Sequence, residues 1–318
     1  MRTMTTSLAF AFVLAGTLAA QQPGATAPAQ GRGQRAPDPR SAGGGQCSEN
    51  PFNCIDTPNP LTPPDTVWLE EMTWMDVRDA LAAGKTTAII PTGGMEPNGP
   101  WLVTGKHNYV LQANCDAIAR KLGNALCAPI VKFVPEGNIE RKTSHMASPG
   151  TISMREETYR AILTDIAHSL RQHGFKTIIY IGDSGGNQAG QRYVADSLNK
   201  LWNADPMVLH IQDYYTYNKV GEYMGKKIVE DSAGDGLHDD PIITLNMFAT
   251  DPKSIRYEER VKAKKATING FSVADRTKNA ELAKEIIEFR TQYTIDAINK
   301  SIANKGTLPA PARQRQQP

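Results

Sequence analysis

Between residues 73 and 211 the chain alternates four times between a segment of helical periodicity and a short apolar run, and this alternation constrains the fold more than any other feature. Thr73-Trp-Met-Asp76 has the spacing of a capping box for a helix that stops at Gly84. Thr87-Ala-Ile-Ile-Pro91 follows as a strand. Helical spacing returns over 108–122, stopped by Gly123, and a second strand is expected over 125–134. Ser153-Met-Arg-Glu156 repeats the capping-box spacing before a helix that ends at His173 and Gly174. Thr177-Ile-Ile-Tyr-Ile181 is the third strand, a helix reaches Trp202, and Met207-Val-Leu-His-Ile211 is the fourth strand. A short helix over 242–249 and a long one over 277–302 complete the pattern. Such alternation predicts an α/β fold with a mostly parallel central sheet and helices on both faces. Ligands bind such sheets beyond the carboxyl ends of the strands. Chemistry is therefore expected in the polar, glycine-containing loops 92–108, 135–153 and 182–188.

The flanks of this pattern read differently. Arg2 followed by Leu8-Ala-Phe-Ala-Phe-Val-Leu14 and the small-x-small triplet Thr17-Leu-Ala19 predict a signal peptide over 1–20 and an exported protein, periplasmic or secreted. Residues 21–64 are rich in Pro, Gly, Ala and Gln and nearly lack large apolar side chains, so they are expected to form an unstructured linker. Cys47 and Cys54 lie near its end, close enough in sequence to pair, and export permits a disulfide. Cys115 and Cys127 fall in an expected helix and strand and read as buried free thiols. Residues 65–304 suffice for one domain, and 305–318 read as a disordered tail. The formal charge is +2 with the basic residues dispersed, which excludes a nucleic-acid footprint. No segment after the signal has the apolar length of a membrane span.

Several side chains in the three loops are able to carry chemistry. Glu96 and His107 in the first are candidate metal ligands or acid/base groups, His145 lies in the second, and the third reads Gly182-Asp183-Ser184-Gly185-Gly186-Asn187. Gly-x-Ser-x-Gly between a strand and a helix is the setting of a nucleophile elbow, and Asp235 and His238 follow in the order of an α/β-hydrolase triad. Glycine, serine and aspartate after a strand are equally ordinary loop and cap residues. Asp240-Pro241 reads as an N-cap and first helical position, which leaves His238 unexplained by capping.

Taken in order, these segments resemble the creatininase family over about 69–297. Pro91-Thr-Gly-Gly-Met-Glu96 with Gly99-Pro100 is similar to the family's Pro-x-Gly-Ser-x-Glu-x-His-Gly-Pro-His loop. His145-Met-Ala-Ser-Pro-Gly-Thr-Ile-Ser153 is similar to its His-x-x-Phe-Pro-Gly-Thr-Ile-Ser segment, and Ile181-Gly-Asp-Ser-Gly-Gly-Asn187 to its Val-Asn-Gly-His-Gly-Gly-Asn turn. The resemblance implies a three-layer α/β/α domain, a homo-oligomer, and a two-metal centre of zinc or manganese that hydrolyses amide bonds in small, often cyclic substrates. It places Glu96 at the first ligand position and His238 at the proton-shuttling histidine. Asn98 and Trp101 stand where the family has loop histidines, His107 where it has a bridging aspartate, and Ser184 where it has the turn histidine. With these replacements Glu96, His107, Asp183 and His238 are expected to assemble a mononuclear site for one zinc or manganese ion, with Glu96 and His238 catalytic. Asn98, Trp101, His145, Ser184 and Asn187 are left to bind substrate.

Three functions fit the sequence. One is a metal-dependent amidohydrolase with rearranged ligands. Another is a serine hydrolase using Ser184. The third is a non-catalytic binder of a small molecule, with Trp101 as a stacking wall.

Overall fold

A computed structural model describes residue 38 and residues 40–41, 45–230, 234–235 and 238–304. The expected signal peptide over 1–20 and the tail over 305–318 lie outside the described residues. The chain divides into two compact units at Pro58 and Asn59. In the first, within the stretch read as a linker, Pro51–Asn53 forms a 3-10 turn capped by Asn50, and Cys47 is bonded to Cys54.

The second unit carries the sheet. Its elements are α1 (Trp74–Ala82), β1 (Thr87–Thr92), α2 (Lys106–Leu122), β2 (Ala125–Cys127), α3 (Glu156–Gln172), β3 (Thr177–Gly182), α4 (Gln188–Trp202), β4 (Met207–His210), α5 (Tyr217–Met224), α6 (Pro241–Thr250), α7 (Tyr257–Lys262), a two-stranded β5–β6 pair and α8 (Arg276–Ala303). The four strands are parallel in the order β2-β1-β3-β4. Side chains alternate across the sheet. Ala88, Ile90, Ile178 and Tyr180 face Tyr159 and Leu163 of α3 and Val194 and Leu198 of α4. Ile89, Ile179 and Ile181 face Leu111, Cys115 and Ile118 of α2 and Ile295 and Ile298 of α8. The result is the three-layer α/β/α architecture, with both sheet faces apolar because both are covered.

Four local readings are corrected by the structure. The second strand ends at Cys127, because Pro129 has no N–H to give; beyond it only isolated bridges form at Val131 and Val134. Helix α2 begins at Lys106, two residues earlier than the periodicity indicates, so Lys106 and His107 occupy its first turn and are buried. Thr73 and Asp76 do form a reciprocal capping box, but Ser153 does not: α3 begins after Arg155, and the Ser153 hydroxyl is used elsewhere. Cys115 and Cys127 are buried as expected yet are bonded to each other, tying α2 to β2.

Candidate metal centre

The register of β1 against β3 pairs Thr92 with Gly182, so the loops leaving these two strands start side by side at the carboxyl edge. Asn187 fastens them: its Nδ2 donates to the carbonyls of Thr92 (2.8 Å) and Gly93 (2.9 Å). Gln191 Nε2 donates to Thr92 Oγ1 at 2.6 Å. Asn187 is thus a buried brace between the two loops.

Above this brace lies a cavity of about 830 Å³ whose lining includes Glu96, His107, Glu136, His145, Ser184 and His238. Glu96 is its hub. One carboxylate oxygen, Oε1, lies 2.7 Å from Lys106 Nζ, 3.1 Å from His107 Nε2 and 3.7 Å from His238 Nδ1. The other, Oε2, lies 2.8 Å from His145 Nδ1, which is also 3.0 Å from Glu136 Oε2. Burial by itself would raise the Glu96 pKa; His107, His145 and Lys106 more than reverse this and hold it ionised. Glu136 is raised by burial, with the Glu96 charge adding to the effect. His145 is raised to about 9 by its contacts with Glu136 and Glu96. His238, half-exposed at the mouth, is lowered by burial and by the Lys106 charge, so its ring is neutral near pH 7.

Asp183 stands behind this cluster. Its Oδ2 accepts from His107 Nδ1 at 2.8 Å, and its Oδ1 accepts from Arg290 Nη2 at 2.9 Å. The Tyr217 hydroxyl reaches both oxygens. Burial would raise the Asp183 pKa, but the Arg290 guanidinium and His107 hold it below the usual carboxylate value. With its oxygens so engaged, Asp183 is not a member of the ligand cluster that the sequence assigned to it. It orients the His107 ring instead, aiming Nε2 at Glu96; burial would lower the His107 pKa, but Asp183 and Glu96 more than reverse this.

Glu136, Lys106, Arg290 and Tyr217 escaped the sequence reading. Glu136 is placed by Ser153: the Glu136 N–H donates to Ser153 Oγ (2.8 Å), which in turn donates to the Gly137 carbonyl (2.7 Å). The Pro135-Glu136-Gly137 run at the start of the second loop was the available signal. Gly94 is the other requirement, since a Cβ there would overlap Glu136 Oε1 and press on the His107 ring.

Three proposed substrate contacts stand apart from the cavity wall or lack a partner for chemistry. Asn98 is buried and donates to the Glu96 carbonyl at 2.8 Å, holding the loop that carries Glu96. Trp101 lies under the Arg260 guanidinium, 5.9 Å from its ring centroid, and is not among the side chains lining the cavity. Ser184 does line it, but among the described residues no imidazole is hydrogen-bonded to its hydroxyl. An activated serine needs such a base. A fluorophosphonate probe is therefore expected to leave Ser184 unlabelled; stoichiometric labelling abolished by Ser184→Ala would restore the serine-hydrolase reading.

The chain is a three-layer α/β/α domain with a buried carboxylate–imidazole cluster at the carboxyl edge of its parallel sheet. The chain belongs to the creatininase family: the family model for creatinine amidohydrolase matches residues 70–306. It is 22% identical over 134 residues to the creatinine amidohydrolase of Pseudomonas putida, covering 42% of this chain and 50% of that protein. It is 23% identical over 157 residues to the 3-dehydro-scyllo-inosose hydrolase of Thermotoga maritima, covering 48% of this chain and 46% of that protein. The chain thus matches about half the length of these curated relatives. A crystal structure of creatininase superposes with a TM-score of 0.52 at 18% identity, covering 77% of this chain and all of that one. Solved creatininases with the same 18% identity and a TM-score of 0.51 include a zinc–zinc form and a manganese form.

The residues of this chain fit a divalent ion. Among the described residues two triads bring their ligand atoms within 4.8 Å of one another: Glu96 with His107 and Glu136, and Glu96 with His145 and His238. In the first, fully buried triad, Glu136 Oε1 has no hydrogen-bond partner, and His107 Nε2 has only its 3.1 Å contact with Glu96 Oε1, which lacks hydrogen-bond geometry. Buried donors and acceptors are rarely left so, and an ion would satisfy both. The mixed oxygen and nitrogen set suits zinc or manganese.

Proposed function

We propose that this chain is a metal-dependent hydrolase of a small molecule, opening a C–N bond next to a carbonyl, most simply that of a cyclic amide. The observation that carries this reading is the buried Glu96–His107–Glu136 triad with its unpartnered Glu136 oxygen, set in a cavity of small-molecule size. Glu96, His107 and Glu136 would hold the ion. When bound, it would polarise the substrate carbonyl and lower the pKa of a water molecule. Asp183 keeps the His107 ring oriented, and Asn98 and the Thr92 brace keep the Glu96 loop in place. His238, half-exposed at the cavity mouth and neutral near pH 7, is placed to receive a proton and return it to the departing nitrogen. The names of the relatives, creatinine amidohydrolase and 3-dehydro-scyllo-inosose hydrolase, point to compact substrates opened by water.

The test uses protein stripped with chelator, reloaded with zinc or manganese, and offered a panel of small cyclic amides. Ring opening is read as the gain of one water in mass. Turnover is expected only after reloading. His145 has a raised pKa of about 9 in the stripped protein and lies against two ligand carboxylates. Its proton therefore opposes loading below that pH, and apparent ion affinity should rise from pH 7 toward 9 with protons released on binding. Calorimetry in buffers of different ionisation enthalpy measures that release. An ion-loaded protein that binds a panel member and returns it unchanged would favour a non-catalytic binder.

A further inference from the structure

Arg260 is fully buried, yet among the described residues its side chain makes a single hydrogen bond, from Nη2 to Asp239 Oδ2 at 3.4 Å. Its Nε and Nη1 have no partner, and neither has Asp239 Oδ1, so each side chain is spent on the other. We infer that Arg260 is a positioning residue: through Asp239 it holds His238 at the cavity mouth with ring nitrogen Nε2 free to take up a proton. The inference rests on the role given to His238 above.

Stability does not account for this pair. Burying two charges costs much of what their attraction returns, and well-packed apolar side chains in their place are often neutral or stabilising. What the pair supplies is a fixed point. Arg260 stands on α7, where the Tyr257 ring packs edge-on against Phe248 of α6, centroids 5.4 Å apart, and the Tyr257 hydroxyl donates to the Ala274 carbonyl at 2.7 Å. The Arg260 guanidinium also lies over Trp101 of the first loop. Asp239, which lines the cavity, is thereby tied to α7 and to the loop that carries Glu96.

His238 needs such a tie. Its side chain is 55% exposed, and among the described residues its one hydrogen bond runs from Nδ1 to the Pro97 carbonyl at 3.1 Å. A carbonyl oxygen can only accept, so the neutral ring carries its proton on Nδ1 and its lone pair on Nε2. Asp239 is the next residue, and neighbouring Cα atoms are about 3.8 Å apart. Asp240 follows, anchored as the cap of α6 by the Ile243 N–H at 2.8 Å. With Asp239 held by Arg260 and Asp240 by α6, the His238 backbone has little room to move, and its ring meets the Pro97 carbonyl. Without the pair, Asp239 is a free link between the ring and its nearest anchor.

The experiment reads the His238 ring and needs no turnover. Wild type, Arg260→Met, Arg260→Lys and the double variant Arg260→Met/Asp239→Leu are loaded with zinc, and nitrogen-15 spectra of their histidine rings are recorded. The His238 signals are assigned by their loss in His238→Gln. Wild type is expected to carry the His238 proton on Nδ1 alone. Arg260→Met and the double variant should show both tautomers at wild-type zinc content, and Arg260→Lys, which keeps a charge against Asp239, a spectrum near that of wild type. The double variant buries no charge at this place, so it should fold even if Arg260→Met, which strands Asp239, does not; whichever folds decides. On any cyclic amide of the panel that is opened, kcat should fall on the order of 100-fold in the double variant, as for loss of a general acid or base, with KM little changed. Adding His238→Gln should then cost nothing further, because both changes act through one ring. A folded double variant with the wild-type His238 spectrum would overturn the inference, as would a wild type that shows both tautomers. Failure to open any panel member would sink the proposed activity, while the ring spectra would still decide what Arg260 does.

Discussion

Glu96→Ala is expected to abolish ion binding and to lower stability by about 3–5 kcal/mol, because it strands a buried lysine and two imidazoles that now share one carboxylate. For a domain of this size that corresponds to a fall in Tm on the order of 10 °C. The two losses separate in Glu96→Gln, which keeps the volume and the packing but not the charge. That variant should fold with a smaller penalty and still bind ions at least roughly a hundredfold more weakly, since even residues behind the ligands are worth 10–100-fold. Denaturant melts give the stability and elemental analysis the ion content. Pairing Glu96→Ala with Lys106→Met should return part of the stability, because the stranded ammonium is then gone; double-mutant coupling reads this directly. A Glu96→Ala protein with unchanged melting and unchanged ion content would remove Glu96 from the centre.

The fold was legible because its signals are periodic. Strands of period two and helices of period 3.6 repeat often enough that the loss of residues 128–134 from the second strand changes no topology. What the pattern could not show was how single side chains are spent. Ser153 has the spacing of a helix cap, but its hydroxyl is committed to the backbone around Glu136. The four-residue spacing is local information, whereas the competing partner lies 17 residues away.

The same holds at the site. Glu96, His107, His145 and His238 converge as loops at one sheet edge should. Glu136 was overlooked because an acid beside a proline and a glycine reads as a solvated turn, and its burial comes from the wall formed by Gly94 and His145. Arg290 was overlooked because it lies in a 28-residue helix rich in Lys and Glu, where one arginine reads as solvent-facing. Its side chain is in fact fully buried between Asp183 and the rings of Tyr214 and Tyr217. Asp183 was placed among the ligands because sequence can bring a carboxylate to the right edge without showing which partners claim its oxygens.

That distinction between ligand and support is testable at Asp183. If Asp183 were a ligand, Asp183→Asn would act mainly by exchanging a charged oxygen donor to the ion for a neutral one. As an orienting group it acts through His107: asparagine keeps the shape but is able to present an N–H where His107 Nδ1 needs an acceptor. Asp183→Asn is therefore expected to weaken ion affinity by roughly 10–100-fold with the ion count at saturation unchanged. Asp183→Ala should do more damage to the fold than to the count. It leaves the Arg290 guanidinium, 0% exposed, without its carboxylate. Removing one partner of such a pair costs about 3–5 kcal/mol. The pH dependence has a fixed sign. The folded-state pKa of Asp183 is depressed, so its stabilising contribution is present above the unfolded value near 4 and fades as pH falls through the lower folded value. Acid unfolding of wild type below pH 4 should accordingly be less steep in Asp183→Asn, which has no carboxylate to protonate there. Nitrogen-15 spectra of the His107 ring report the tautomer directly. A ring that keeps its proton on Nδ1 in Asp183→Asn, together with wild-type ion affinity, would show that Asp183 orients nothing.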